Sequence, residues 1–275
     1  VDAPITVGSG EFLLWEHPLV YWLEQQGYDV TYCSNLDLHF DPEVLSRSKA
    51  FISVGHDEYW SRKMFDEALK ARDNGLSFAF LSGNAVAGEI QFYDSFDGRP
   101  GRVFAKTSNV HFEDEAKLMG VNSYGVGYGD WIVKNSGHWV YEGTGLKDDD
   151  KIPAVIGWEF HGTPATDIKD LVVVAESPVT SGKHLHNGVV YPCPKGNWVF
   201  NAGSCWWSEG LSQPPAHIPA GDSGMEEPEF LYAKDPYGRS SDAGHNPAGR
   251  TFGVNAHVQK ITANVLNRMI KDSPL

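Results

Sequence analysis

The sequence predicts an α/β protein: a parallel sheet with helices on both faces, extended by a strand-rich second half. Two observations carry this. Over the first 95 residues, short apolar runs alternate with amphipathic stretches across brief polar connections, the pattern of βα units. Beyond residue 95 helical periodicity fades, and apolar runs recur between Gly- and Asp-rich turns until a last amphipathic stretch. A length of 275 residues suits one domain spanning residues 1–275.

Residues 15–26 read as a helix, with Leu19, Val20, Trp22 and Leu23 at helical spacing and Gly27 as its stop. Residues 28–33 read as a strand, followed by the polar turn from Ser34 to Asp37. Residues 51–54 are the next strand, and 62–74 a helix with Ser61 as N-cap and Gly75 at its end. Residues 77–81 form a third strand; the turn Ser82-Gly83-Asn84 then leads into a helix expected over 85–92.

A strand ahead of the first helix is missing. Either residues 5–7 are its stub, or it lies upstream of this chain. The chain opens on Val1, with neither a basic start nor a long apolar core, and reads as a fragment or processed product with the cytoplasm as default compartment.

In the second half, strands are expected at 103–111, 131–134, 152–160, 171–175, 188–191 and 198–201. Residues 213–250, rich in Pro, Gly, Asp and Ser, read as a long irregular arm, a flap or partner-binding segment. Residues 255–271 close the chain as an amphipathic helix with Val258, Ile261, Val265, Leu266 and Met269 on one face. The gap left by the missing strand predicts that residues 5–7, the arm or a neighbouring chain fills it, hence a homo-oligomer or an assembly with another chain.

A net charge of −14 disfavours nucleic acid and anionic membrane as partners. No apolar run of 18 residues exists, so no membrane span is expected. Three cysteines, Cys33, Cys193 and Cys205, make no disulfide framework, although a Cys193–Cys205 pair stays open.

The stretch from Ser53 to Ser61 is the most informative in the chain. A short apolar strand ends in Gly55, and His56, Asp57, Glu58 and Tyr59 follow in a row before the helix. Such a turn sits at the carboxyl end of a strand, where open α/β sheets place ligands. His56 suits a general base near neutral pH, with Asp57 and Glu58 as further proton carriers. Tyr59 and a carboxylate suit a hard cation. The bland alternative is a structural turn: Asp57 caps the helix, His56 bonds a carbonyl, and Tyr59 packs on Trp60.

Glu159, which directly follows an apolar run, is costly to bury unless paired with a basic neighbour or bound to metal. His184 and His186 form an H-x-H pair of the kind surface hairpins often carry, and His17 opens the first helix near the same sheet edge. Phosphate-loop, dinucleotide, C-x-x-C, H-E-x-x-H and G-x-S-x-G signatures are all missing. Where a class I glutamine amidotransferase carries its nucleophilic cysteine, this chain has Gly55-His56-Asp57-Glu58, which leaves acid–base or metal chemistry rather than a covalent nucleophile.

Four segments resemble the C-terminal domain of the N,N-dimethylformamidase large subunit and its relatives. They are Glu16 to Asp37, Val54 to Ser61 with its G-H-D-E-Y-W-S motif, Leu81 to Val86 with S-G-N-A-V, and Val258 to Arg268. The resemblance implies a flavodoxin-like, glutamine-amidotransferase-like α/β domain, and a mononuclear iron centre held by two tyrosines and a glutamate that hydrolyses small N-substituted amides. Carried onto this chain, it makes Tyr59 one metal ligand and Glu159 the glutamate, while His17 stands where the second tyrosine falls. Trp60, Asn84 and Trp158 are expected to bind the substrate. Relatives continue the S-G-N-A-V turn with bulky aromatics, whereas this chain has Ala87-Gly88-Glu89, which predicts an altered pocket and a substrate other than dimethylformamide. The competing expectation is a non-catalytic ligand- or partner-binding module on a degenerate fold of the same type.

Overall fold

The computed structural model describes residues 12–107, 112–157, 159–180, 183–214 and 254–274. The expected stub at residues 5–7 and nearly all of the 213–250 arm lie outside the described residues, as does Trp158.

A π-helical turn, Phe12–Glu16, leads into α1 (His17–Gln26), which Gly27 stops with φ 75° and a backbone bond to Glu24. After α2 (Asn35–Phe40), capped by Ser34, come β1 (Ala50–Gly55), β2 (Tyr59–Ser61), α3 (Arg62–Asn74) and β3 (Ser77–Ser82). Ser61 caps α3: its Oγ accepts the Met64 N–H at 3.2 Å. Next are β4 (Gly88–Tyr93), β5 (Val103–Lys106), α4 (Ala116–Met119), β6 (Val121–Val126), β7 (Gly129–Ile132) and β8 (Lys151–Ile156). The chain continues through β9 (Glu159–Pro164), β10 (Val172–Pro178), β11 (Leu185–Pro192), β12 (Trp198–Asn201) and α5 (Ala256–Asp272).

The main sheet has seven strands in the order β1-β3-β12-β11-β9-β6, with β10 on the other edge of β11. Only the β1–β3 and β3–β12 contacts are parallel; the rest are antiparallel. A three-stranded sheet, β2-β4-β5, and the β7-β8 pair complete the architecture. Along β3 the side chains alternate: Phe78 and Phe80 enter one apolar cluster with α3 and α4 residues, and Ala79 and Leu81 enter another with α1, α5 and Trp131.

This corrects the expected fold. The protein is not a flavodoxin-like or glutamine-amidotransferase-like parallel sheet with helices on both faces; it is a set of mixed sheets with a curled half-barrel and few helices. The reason is connectivity. Each parallel contact needs a crossover of a dozen residues or more. After β3, α4 is the only α-helix described before α5, so among the described residues the strands from β6 to β11 have no long helical crossover and pair antiparallel.

Two local expectations also change. Residues 28–33 form no strand, and β1 is the edge of the main sheet among the described residues. The helix expected over 85–92 gives way to β4 at Gly88–Tyr93, because Tyr59 pairs opposite Gly88 and β5 closes the other side. All three cysteines are free, so the open Cys193–Cys205 pair does not form. Among the described residues no helix is long and apolar enough to cross a membrane.

Glu115, just ahead of α4, is buried, and its Oε1 accepts the Ser123 N–H at 2.6 Å. Burial pushes its carboxyl up to about 7 against an ordinary 4.5. The folded state therefore holds this proton more tightly than the unfolded chain between pH 4.5 and about 7. Its contribution is full below pH 4.5 and is lost as pH rises through about 7. Glu115→Gln, which keeps the acceptor without the charge, is expected to match the parent at pH 4.5 and to exceed its stability at pH 8 by up to about 3 kcal/mol. Denaturant melts at the two pH values measure this, and equal gaps at both would refute it.

Candidate functional site

At the end of β1 the chain turns at Gly55, whose φ of 71° and 2.9 Å approach to Trp15 Cβ (for a methyl placed there) leave room only for glycine. The loop after it is laced to the turn after β3. Gly83 N–H donates to Gly55 O, Val86 N–H to Asp57 O and Gly88 N–H to Glu58 O, at 3.0, 3.0 and 2.8 Å. Two short loops at the ends of neighbouring parallel strands thus act as one unit.

From this unit His56 and Glu58 reach Glu159, the first residue of β9. His56 Nε2 lies 2.6 Å from Glu159 Oε2 and 3.4 Å from Glu58 Oε2, with all three side chains largely shielded from solvent. Trp15 closes the edge, its ring perpendicular to His56 with centroids 6.3 Å apart. Glu159 Oε2 is buried and makes no hydrogen bond among the described residues, so its close contact with His56 Nε2 lacks hydrogen-bond alignment. Tyr59 joins from the other end. It lies beside Lys106 and Glu58, and burial raises the phenol above its ordinary value. Lys106 Nζ lies 3.8 Å from Glu58 Oε1 and 4.6 Å from the Tyr59 ring centroid. Tyr59 first, and then the Glu58 and Glu159 charges, raise the Lys106 ammonium. Lys106, Tyr59, Glu58, His56 and Glu159 form one continuous chain of ionisable groups.

Asp57 turns the opposite way. It accepts from Asn35 Nδ2 at 3.2 Å and Ser53 Oγ at 3.0 Å, and Ser53 in turn meets Ser82 Oγ at 2.9 Å. Burial pushes its carboxyl up to about 6, and the Asn35 and Ser53 bonds pull against that. Asn35 also donates to Tyr59 O at 3.1 Å, so α2 pins the loop at two points. Asp57 is placed to hold the loop, while His56 and Glu58 face Glu159.

The remaining candidates fall elsewhere. Trp60 is fully buried in the apolar cluster, edge-on to Phe51, rather than facing the ionisable groups. Asn84 sits in the turn with φ 49°, partly buried. His17 stacks on Phe12 and meets Tyr21 edge-on, at centroid distances of 5.8 and 6.3 Å; among the described residues neither contact joins it to Tyr59 or Glu159. His186 is fully buried, its Nε2 donating to Ala202 O at 2.8 Å, while His184 stacks on Tyr124 with centroids 4.0 Å apart. His161 supports the turn from beneath: its Nε2 accepts the Ala85 N–H at 2.9 Å, and burial lowers its pKa to about 4. Among the described residues no group of three or more His, Cys, Asp and Glu is arranged to hold a metal ion. Lys106 and Asn35 carried no site signal in the sequence; Gly83 read only as a turn residue, and Gly88 entered only through the Ala87-Gly88-Glu89 stretch expected to alter the pocket.

Structurally this is a mixed-sheet protein with a histidine–carboxylate–tyrosine–lysine cluster on paired loops. Residues 1–220 match the family described as N,N-dimethylformamidase beta subunit-like, C-terminal, and the chain belongs to that family. The sequence resemblance is thereby borne out, and membership is consistent with a hydrolase of the dimethylformamidase kind. No curated protein matches the chain.

Proposed function

We propose that this protein hydrolyses the C–N bond of a small N-substituted amide at the Lys106–Tyr59–Glu58–His56–Glu159 cluster. The observation that carries the reading is the 2.6 Å contact of His56 with Glu159, both shielded from water, on a loop unit fixed by three backbone bonds. The His56–Glu159 pair, in contact through Nε2 and Oε2, takes the proton of the attacking water and returns it to the departing amine nitrogen. Glu58 stabilises the imidazolium formed between these steps. The Lys106 ammonium offers a donor to the developing oxyanion.

Iron fits this donor set through oxygen. Glu159 Oε2 is a buried acceptor with no hydrogen bond, and the Tyr59 phenol and Glu58 carboxylate belong to the same cluster. Tyr59 and Glu159 would hold the ion, with Glu58 as the next oxygen donor. When bound, iron would polarise the amide carbonyl and acidify water. His17 drops out of the ligand set, because its ring contacts are with Phe12 and Tyr21.

The test is release of amine from N,N-dimethylformamide, N-methylformamide and small acetamides by protein purified without chelator, with its metal content measured alongside. Expected are turnover of at least one amide and its loss in Glu159→Gln. Binding of these amides without turnover, with or without added iron, would favour the binding-module reading and overturn the hydrolase.

A further inference from the structure

We infer that Gly88 and Lys106 are positioning residues for Tyr59, gripping its ring so that the hydroxyl stays beside Glu58; the consequence for catalysis rests on the function proposed above. Tyr59 and Gly88 are directly opposed across the parallel β2–β4 pair. A methyl at position 88 would lie 2.8 Å from Tyr59 Cδ1 and 3.0 Å from Cε1, so the ring rests on bare β4 backbone.

Gly88 has no left-handed φ, unlike Gly55 or Gly75, so the backbone conformation there does not call for glycine. A glycine inside a strand weakens it by roughly 0.5–1 kcal/mol relative to alanine, and such positions often mark a close approach. What position 88 requires is space, and the Tyr59 ring fills that space. On β5, Lys106 pairs opposite Ile90, which is two residues from Gly88 and on the same sheet face. From there its ammonium reaches to 4.6 Å from the Tyr59 ring centroid and to 3.8 Å from Glu58 Oε1. The Lys106 side chain is half exposed, and an ion pair of that kind adds little stability. Its geometric effect is to tie the hydroxyl end of Tyr59 to Glu58. The β2-β4-β5 sheet thus works as a holder for one phenol, with the floor supplied by β4 and the tether by β5.

The atoms that a Gly88→Ala methyl meets first belong to the Tyr59 ring, so the substitution displaces that ring and spares the strand. The experiment uses protein with ¹³C-labelled tyrosine rings, the Tyr59 signal being assigned by its loss in Tyr59→Phe. Gly88→Ala and Lys106→Met are expected to move the Tyr59 signal and leave the other tyrosines unchanged, with Lys106→Arg restoring it. On an amide substrate Gly88→Ala is expected to lower kcat by roughly tenfold to a hundredfold with KM little changed. In a Tyr59→Phe background it should have no further effect. A Tyr59 signal unmoved by both Gly88→Ala and Lys106→Met would overturn the inference, as would a kcat loss equal in the two backgrounds. Should no amide be hydrolysed, the signal alone decides: a shift keeps the holder and removes only the proposed reaction.

Discussion

His56→Gln is expected to lower amide hydrolysis by roughly 10²–10⁴-fold, the range seen when a general acid–base group is removed. Glutamine keeps a polar end near Glu159 but cannot carry a proton between water and amine. The fold should tolerate it. His56 sits on a loop held by the backbone bonds of Gly83, Val86 and Gly88, and none of these involves its ring. Stopped-assay amine release with parallel thermal melts measures both quantities. Activity within threefold of the parent would remove His56 from the proton-transfer role, and a collapse of the melt would make it structural.

The second large effect is expected at Gly83. A methyl there would lie 2.1 Å from the Glu159 carbonyl oxygen, 2.8 Å from its carbonyl carbon and 2.8 Å from Cys205 N. All three are backbone atoms and cannot rotate aside, so either the turn or the start of β9 must move. Overpacking of this kind costs about 1–3 kcal/mol. For a domain of this size that lowers Tm by roughly 2–12 °C. Activity should fall further than stability, because Gly83→Ala pushes directly on the residue that carries Glu159. Gly137→Ala is the control, since nothing lies within 4 Å of a methyl there and its φ is not left-handed. Equal melts and equal activity for Gly83→Ala and the parent would show that the close approach is not real.

The contrast between Gly83 and His56 shows what could be read from the sequence. The run from Ser53 to Ser61 announced itself because polar, proton-carrying side chains crowd a turn between an apolar strand and a capped helix, all local features. The Ser61 cap, the 62–74 helix and the 198–201 strand follow from the same local rules. The sheet did not. Whether β3 lies beside a parallel or an antiparallel neighbour depends on β12, which arrives about 120 residues later, and no periodicity in either strand records that. Residues 85–92 were misread for a related reason: their strand exists through pairing with β2 and β5, not through propensity. Lys106 was invisible because an exposed lysine on a short strand is ordinary until the β4–β5 register brings it over Tyr59. The ring contacts of His17 are with Phe12 and Tyr21, both close to it in sequence.

The position of β12 has a consequence for synthesis. Val199, Phe200 and Asn201 complete the sheet beside Phe78, Ala79 and Phe80, and Cys205 N–H then reaches Glu159 O at 3.4 Å. A chain emerging from the ribosome therefore displays β1, β3 and the His56 loop long before the strand that belongs at β3's open edge. Contacts of such large sequence separation slow folding and leave an apolar edge available to other nascent chains. The start of β9, which carries Glu159, gains its Cys205 backbone partner only once residue 205 has been made.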